Sequence, residues 1–105
     1  MNEATFNKLY NDALIKAAIG VHIINTVGAQ SNVSPEMQEQ NIITLVTELA
    51  EGVGLDVEIV MVDVMSTRNN FPGDFFEHPE VRILTQRLTA AMNPQLLIGN
   101  SNQLH

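Results

Sequence analysis

A long apolar segment, "ALIKAAIGVHIINTVGA" at residues 13–29, is the feature that most constrains how this chain folds. Before and within it, apolar residues recur at three- and four-residue spacing, which is typical of a helix. The pattern predicts a helix over residues 3–27 that is amphipathic at first and then apolar on almost every side. Such a helix has to be covered on every side. A strand over "VHIINTV", at residues 21–27, is the alternative.

Capping signals predict two further helices. Ser34 followed by Pro35 is a typical helix start, which predicts a helix over residues 35–51. Pro79 begins a third helix over residues 79–92, since the Asn-Pro pair that follows cannot continue it.

The segment "LDVEIVMVDVM" at residues 55–65 is rich in Val, Ile and Met, which favours a buried strand around 56–65. The alternation is imperfect, because Glu58 and Asp63 would face opposite sides of a strand. A helix is therefore the alternative. The fold prediction is a single, mainly α domain over residues 1–105, with three helices and one short extended segment. An α+β arrangement is the second choice.

Composition excludes several function classes. The chain has 105 residues, 45% of them hydrophobic, and no cysteine, which indicates a globular domain without disulfides or thiolate metal sites. Its net charge is −7 with five basic residues, so no basic surface for nucleic acid is expected. Lys16 and His22 interrupt the apolar segment, so we predict no membrane span. We see no signal peptide, and expect a cytoplasmic or virion-associated protein.

Chemistry-bearing motifs are scarce. The glycines match no phosphate-binding pattern, and no serine lies in a nucleophile motif. Asp74, Glu77, His78 and Glu80 are donors for a divalent ion, but their spacing matches no metal motif. Negative charge at the start of the last helix explains these carboxylates more simply. We therefore predict no catalytic residue, no metal, no cofactor and no enzymatic activity.

The stretch "NNFPGDFFEHPE" at residues 69–80 holds three of the five aromatic residues. Prolines and glycine make it a turn-forming segment. Aromatic anchors within a polar rim are typical of interaction sites. We predict partner binding by five residues of this segment, namely Phe71, Phe75, Phe76, Glu77 and His78. The alternative is a lid in which the rings close over the chain's own helices.

Two segments, 13–27 and 55–65, carry more apolar surface than so small a chain is expected to bury, and oligomer interfaces are the usual answer. We predict an oligomer interface formed by Ile19, Ile23, Val60 and Val62. The predicted function is a self-associating structural subunit of a larger assembly, such as a virion, connector or scaffold. Its partners would be other copies of the chain and another protein. The alternative is an acidic binding or inhibitor protein that occupies a basic site on its partner.

Overall fold

The computed structural model describes residues 2–98, which form a mainly α fold. The helices are α1 (Glu3–Gln30), α2 (Pro35–Val53), α3 (Val57–Asn69), α4 (Pro79–Ala91) and the short α5 (Pro94–Ile98), with a 3-10 turn at Phe75–Glu77. The mainly α prediction is confirmed, with more helices than the three expected. The predicted helix ends lie within three residues of those observed.

The extended segment predicted around residues 56–65 is wrong, because the structure has α3 there. Gly54, at a left-handed φ of 74°, ends α2 and lets the chain turn back. Within α3, Val60 and Val64 lie one helical turn apart and are both buried. The packing of this face outweighs the strand propensity of the β-branched residues, because that propensity is weak and depends on context.

Capping side chains begin the first two helices. The Asn2 side-chain oxygen accepts a hydrogen bond from the Thr5 amide at 2.8 Å, which starts α1. The Ser34 hydroxyl oxygen accepts one from the Met37 amide at 3.2 Å, and Pro35 is the first residue of α2. The predicted start of the second helix is therefore confirmed in its mechanism as well as its position.

Helix α1 is the central element, and the other four helices all pack against it. Its buried residues include Ile19, Val21 and Ile24, none of which has any solvent exposure. Leu45 of α2 packs into the space beside Gly20, where an added Cβ would lie 2.9 Å from Leu45 Cδ2. The covering that an all-round apolar helix requires is thus supplied by the chain itself.

The predicted oligomer-interface residues take different positions. Ile19 and Ile23 lie in the interior on α1, and Val60 lies in the interior on α3. All three are enclosed by the chain's own helices, so in this conformation they cannot contact a second copy. Val62 alone among the four lies on the surface. The surplus of apolar surface was overestimated because α3, as a helix, buries one face and exposes only the other.

A polar contact joins α1 to α3 at the edge of the core. The Tyr10 hydroxyl donates a hydrogen bond of 2.7 Å to Asp63 Oδ2. Burial, this hydrogen bond and the nearby carboxylate charge together raise the pKa of Tyr10 to about 12. The tyrosine therefore stays a protonated donor across the physiological range, and Asp63 keeps its partner.

By length and composition alone, α1 is apolar enough to cross a membrane. Half of its most apolar window is buried inside the structure, and core helices of soluble proteins pass the same test. The packing of four helices around α1 accounts for its composition.

Matched isoleucine substitutions test this central packing. We expect Ile19→Ala to lower the free energy of unfolding by about 2–5 kcal/mol, because it leaves a cavity beside α1. Ile83→Ala, at a side chain that is 51% exposed on α4, should change it by no more than about 0.5 kcal/mol. Urea unfolding followed by circular dichroism measures both. Equal effects of the two substitutions would show that α1 is not enclosed in this way.

Candidate interaction surfaces

The three phenylalanines of the 71–76 segment pack together against the chain's own helices. Phe71 and Phe75 stack with their ring centroids 4.0 Å apart, and Phe76 meets Phe75 edge-on at 5.1 Å. Neighbouring side chains in a turn diverge by about 100°, so Phe75 and Phe76 need separate partners. Phe75 stacks on Phe71, and Phe76 stacks on His22 of α1. All three rings are half-buried.

The contact between Phe76 and His22 fixes the aromatic segment to α1. Their rings are stacked with centroids 3.7 Å apart and an interplanar angle of 13°. Burial lowers the pKa of His22, and the positive charge of Arg68 on α3 lowers it further. The Thr26 hydroxyl lies 3.4 Å from His22 Nε2, one helical turn away. The neutral imidazole is thus the favoured form, as expected for a histidine covered by apolar side chains.

Glu77 and His78, the polar members of the predicted partner site, are both exposed. His78 Nε2 lies 3.5 Å from Asp74 Oδ2, and this is the single ion-pair contact within the described part of the chain. Residues 2–98 contain no group of three or more metal-ligating side chains. Partner binding by the 71–78 segment stays a prediction. In this segment the polar side chains of Glu77 and His78 are exposed, and the neighbouring phenylalanine rings are half-buried.

The outer face of α3 carries exposed apolar side chains. Val62 is 64% exposed and Ile59 is 52% exposed. They are three residues apart, so they are neighbours on one side of the helix. Glu58 and Ser66 flank them, and both are exposed. Val60 and Val64 point the opposite way, into the core. The outer face of α3, defined here by Ile59 and Val62, is a small apolar patch with polar ends.

A groove runs between α2 and α4 over a floor of small residues from α1. Its volume is about 370 Å³. The floor is Ala13, Ala17 and Gly20, and the walls are Leu45, Leu49, Leu88 and Met92, with Lys16 and Glu48 beside them. The groove exists because α2 and α4 each pack against α1 but make little contact with each other. Its two charges have opposite signs, so it shows no preference for a charged ligand.

No family model, curated protein or solved structure matches the chain. Its function therefore has to be argued from the geometry of its own residues.

Sequence reasoning missed Ile59 and the two arginines near His22, Arg68 and Arg82. Ile59 follows the three-residue spacing to Val62, a signal that is visible only once 57–69 is assigned as a helix. Arg68 lies in the last turn of α3, and Arg82 lies in the first turns of α4. Both arginines lie near His22 because of the way the 70–78 segment turns. No local sequence pattern predicts that turn.

The lowered pKa of His22 predicts a pH dependence of stability. The folded protein binds this proton less tightly than the unfolded chain, whose histidines titrate near pH 6.5. The contribution of His22 is therefore complete above about pH 6.5 and declines as the pH falls below it. We expect urea unfolding to show lower stability at about pH 5.5 than at about pH 7.5. His22→Gln should reduce this difference, whereas His78→Gln at an exposed position should not.

Two phenylalanine variants serve as a matched control for the cause of this shift. Phe76→Ala uncovers one face of His22, so the pKa of His22 should rise toward its usual value. Phe75→Ala removes a ring that stacks on Phe71, and should leave the His22 pKa lower than Phe76→Ala does. Titration of the His22 ring protons by NMR measures both. The stacking has no role if both variants leave the titration unchanged.

Proposed function

We propose that the chain is a non-enzymatic assembly subunit that associates with copies of itself through the outer face of α3. The observation that carries this proposal is the exposure of Ile59 and Val62, side by side, on a helix whose other face is packed. Large apolar side chains in adjacent exposed positions favour association, because burying them removes apolar surface from water.

A second copy is a suitable occupant, because the outer face of α3 can pair with the same face of another copy about a two-fold axis. Ile59 and Val62 are both exposed there, and the buried Val60 and Val64 face the other way. Ile59 and Val62 then face their counterparts near the two-fold axis. An interface of this kind uses the same patch on both subunits.

The size of the apolar patch determines how strongly two copies are expected to associate. Stable dimers bury about 800 Å² on each partner. Two aliphatic side chains supply only part of that area, so pairing through this face alone is weak. Association should therefore depend on concentration and become evident at high micromolar levels, or be strengthened by repetition in a larger assembly.

Aspartate substitutions test the assembly proposal. Ile59→Asp and Val62→Asp place a charge in the centre of the proposed interface, and each should weaken self-association by at least about tenfold. Ile83→Asp makes the same change at an equally exposed position on α4 and should leave association unchanged. Sedimentation velocity over a concentration series measures the effect. A monomer at every concentration, or equal weakening by Ile83→Asp, contradicts the proposal.

The charge distribution favours a second candidate, an acidic protein that binds a basic partner. From Ala17 to Thr67 the sequence contains no Lys or Arg. The same stretch contains the carboxylates Glu36, Glu39, Glu48, Glu51, Asp56, Glu58 and Asp63. On α2, four of them are exposed. This helix therefore presents four negative charges and no positive charge of its own, which would steer a basic partner toward it.

An oligolysine peptide tests the acidic-surface candidate. The double substitution of Glu48 and Glu51 by Gln should weaken binding of the peptide, because both carboxylates lie on the exposed side of α2. The control removes the same charge elsewhere, by Asp12→Asn and Glu77→Gln at exposed positions. Fluorescence anisotropy at several salt concentrations measures the affinity. Equal weakening by both pairs would mean that only net charge matters, and the candidate would be dropped.

A further inference from the structure

A cavity of about 300 Å³ that is open to the surface lies where the 71–76 segment, α1 and α4 meet. It is lined by His22, Phe76, Arg82, Thr85 and Gln86. It is separate from both the outer face of α3 and the groove between α2 and α4. Its volume is at the lower end of the range for small-molecule sites, so a ligand there would have to be small.

One wall of this cavity is aromatic and held in place. Phe76 stacks on His22 at 3.7 Å and also contacts Phe71 at 5.9 Å and Phe75 at 5.1 Å. These three ring contacts restrain Phe76. A flat apolar wall of this kind suits the ring of an aromatic ligand, since aromatic rings pair by offset stacking or edge-to-face contact.

Other lining residues of the cavity supply hydrogen-bond donors. Arg82 supplies a guanidinium group and Gln86 supplies a side-chain amide. The Thr85 hydroxyl is not available as a donor, because it already donates to the Val81 carbonyl at 2.7 Å. The available donors are thus the planar, charged guanidinium of Arg82 and the amide of Gln86. Such donors suit a planar anion, because a guanidinium can donate two parallel hydrogen bonds to a carboxylate.

Arg82 has no carboxylate partner within 4.0 Å in the part of the chain that the structure describes, although the protein has twelve Asp and Glu residues. Arg68 lies close enough to influence His22 by its charge. The neighbouring segment also carries the exposed carboxylates Asp74, Glu77 and Glu80, so the surroundings are of mixed charge. An anion that pairs with Arg82 displaces no ion pair among the described residues.

We propose that this cavity binds a small aromatic carboxylate, whose ring lies against the Phe76–His22 wall and whose carboxylate pairs with Arg82. A carboxylate is favoured over a neutral aromatic compound because Arg82 supplies a charge that pairs with no carboxylate in residues 2–98. An aromatic acid is favoured over an aliphatic one because the wall is formed by two stacked rings.

Benzoate and benzamide are suitable probes, because they have the same ring and differ in charge. We expect benzoate to shift the NMR signals of His22, Phe76 and Gln86 with a Kd of about 1 mM, as its size allows. Benzamide should bind at least about tenfold more weakly, and acetate likewise. Ionic strength is held constant with sodium chloride. Equal binding of benzoate and benzamide, or shifts spread over the whole chain, would overturn the proposal.

Two arginine variants on α4 identify the residue responsible. Arg82→Gln should weaken benzoate binding by at least about tenfold, because it removes the charged guanidinium. Arg87→Gln removes the same charge from the same helix outside the cavity, and should change the Kd by less than about twofold. Equal effects would show that overall charge, and not this cavity, attracts the anion. The comparison of benzoate with benzamide on the unaltered protein decides the matter if Arg82→Gln fails to fold.

Discussion

The enclosure of α1 is the constraint on which the rest of the structure depends. This helix of 28 residues is about 42 Å long and apolar on most sides over its second half. A helix of that kind is stable in water only if other elements cover it. Four helices do so, and the small residues Ala17, Ala18 and Gly20 let them come close. The remaining helices are arranged so that together they surround the apolar helix α1.

Because α1 is enclosed, the apolar composition of the chain does not by itself indicate an interface. The apolar surface of segments 13–27 and 55–65, judged from the sequence, exceeds what a small domain is expected to bury. In three dimensions each covers the other, since α3 packs its Val60–Val64 face against the core. What is left outside is a few separate side chains, among which Ile59 and Val62 are adjacent. The core residues Ile19, Ile23 and Val60 are thus covered by the chain's own helices.

Sequence patterns predicted α1 from its apolar spacing, and α2 and α4 from the start signals at Ser34 and Pro79. They failed for α3, whose Asp56 cap position makes no side-chain hydrogen bond and whose composition is β-branched. Its helical state is decided by contacts with α1 and α2, which no local window contains. The buried positions of Ile19 and Ile23 could not be separated from surface positions for the same reason, because both faces of α1 are apolar.

The aromatic content of the 71–76 segment follows from the same constraint. Helix α3 ends at Asn69 and α4 begins at Pro79, so the chain between them has to cover part of α1 without a long helix. Phe71 packs against the core cluster beside Leu14, and Phe76 covers His22 farther along α1. Large flat rings cover more surface per residue than aliphatic side chains do, which suits a short turn-rich segment. His22 then lies at the boundary of the core, with an aromatic ring on one face and arginines nearby. A histidine with a lowered pKa and a small cavity beside Arg82 occur together there, because a turn and not a helix completes the cover of α1.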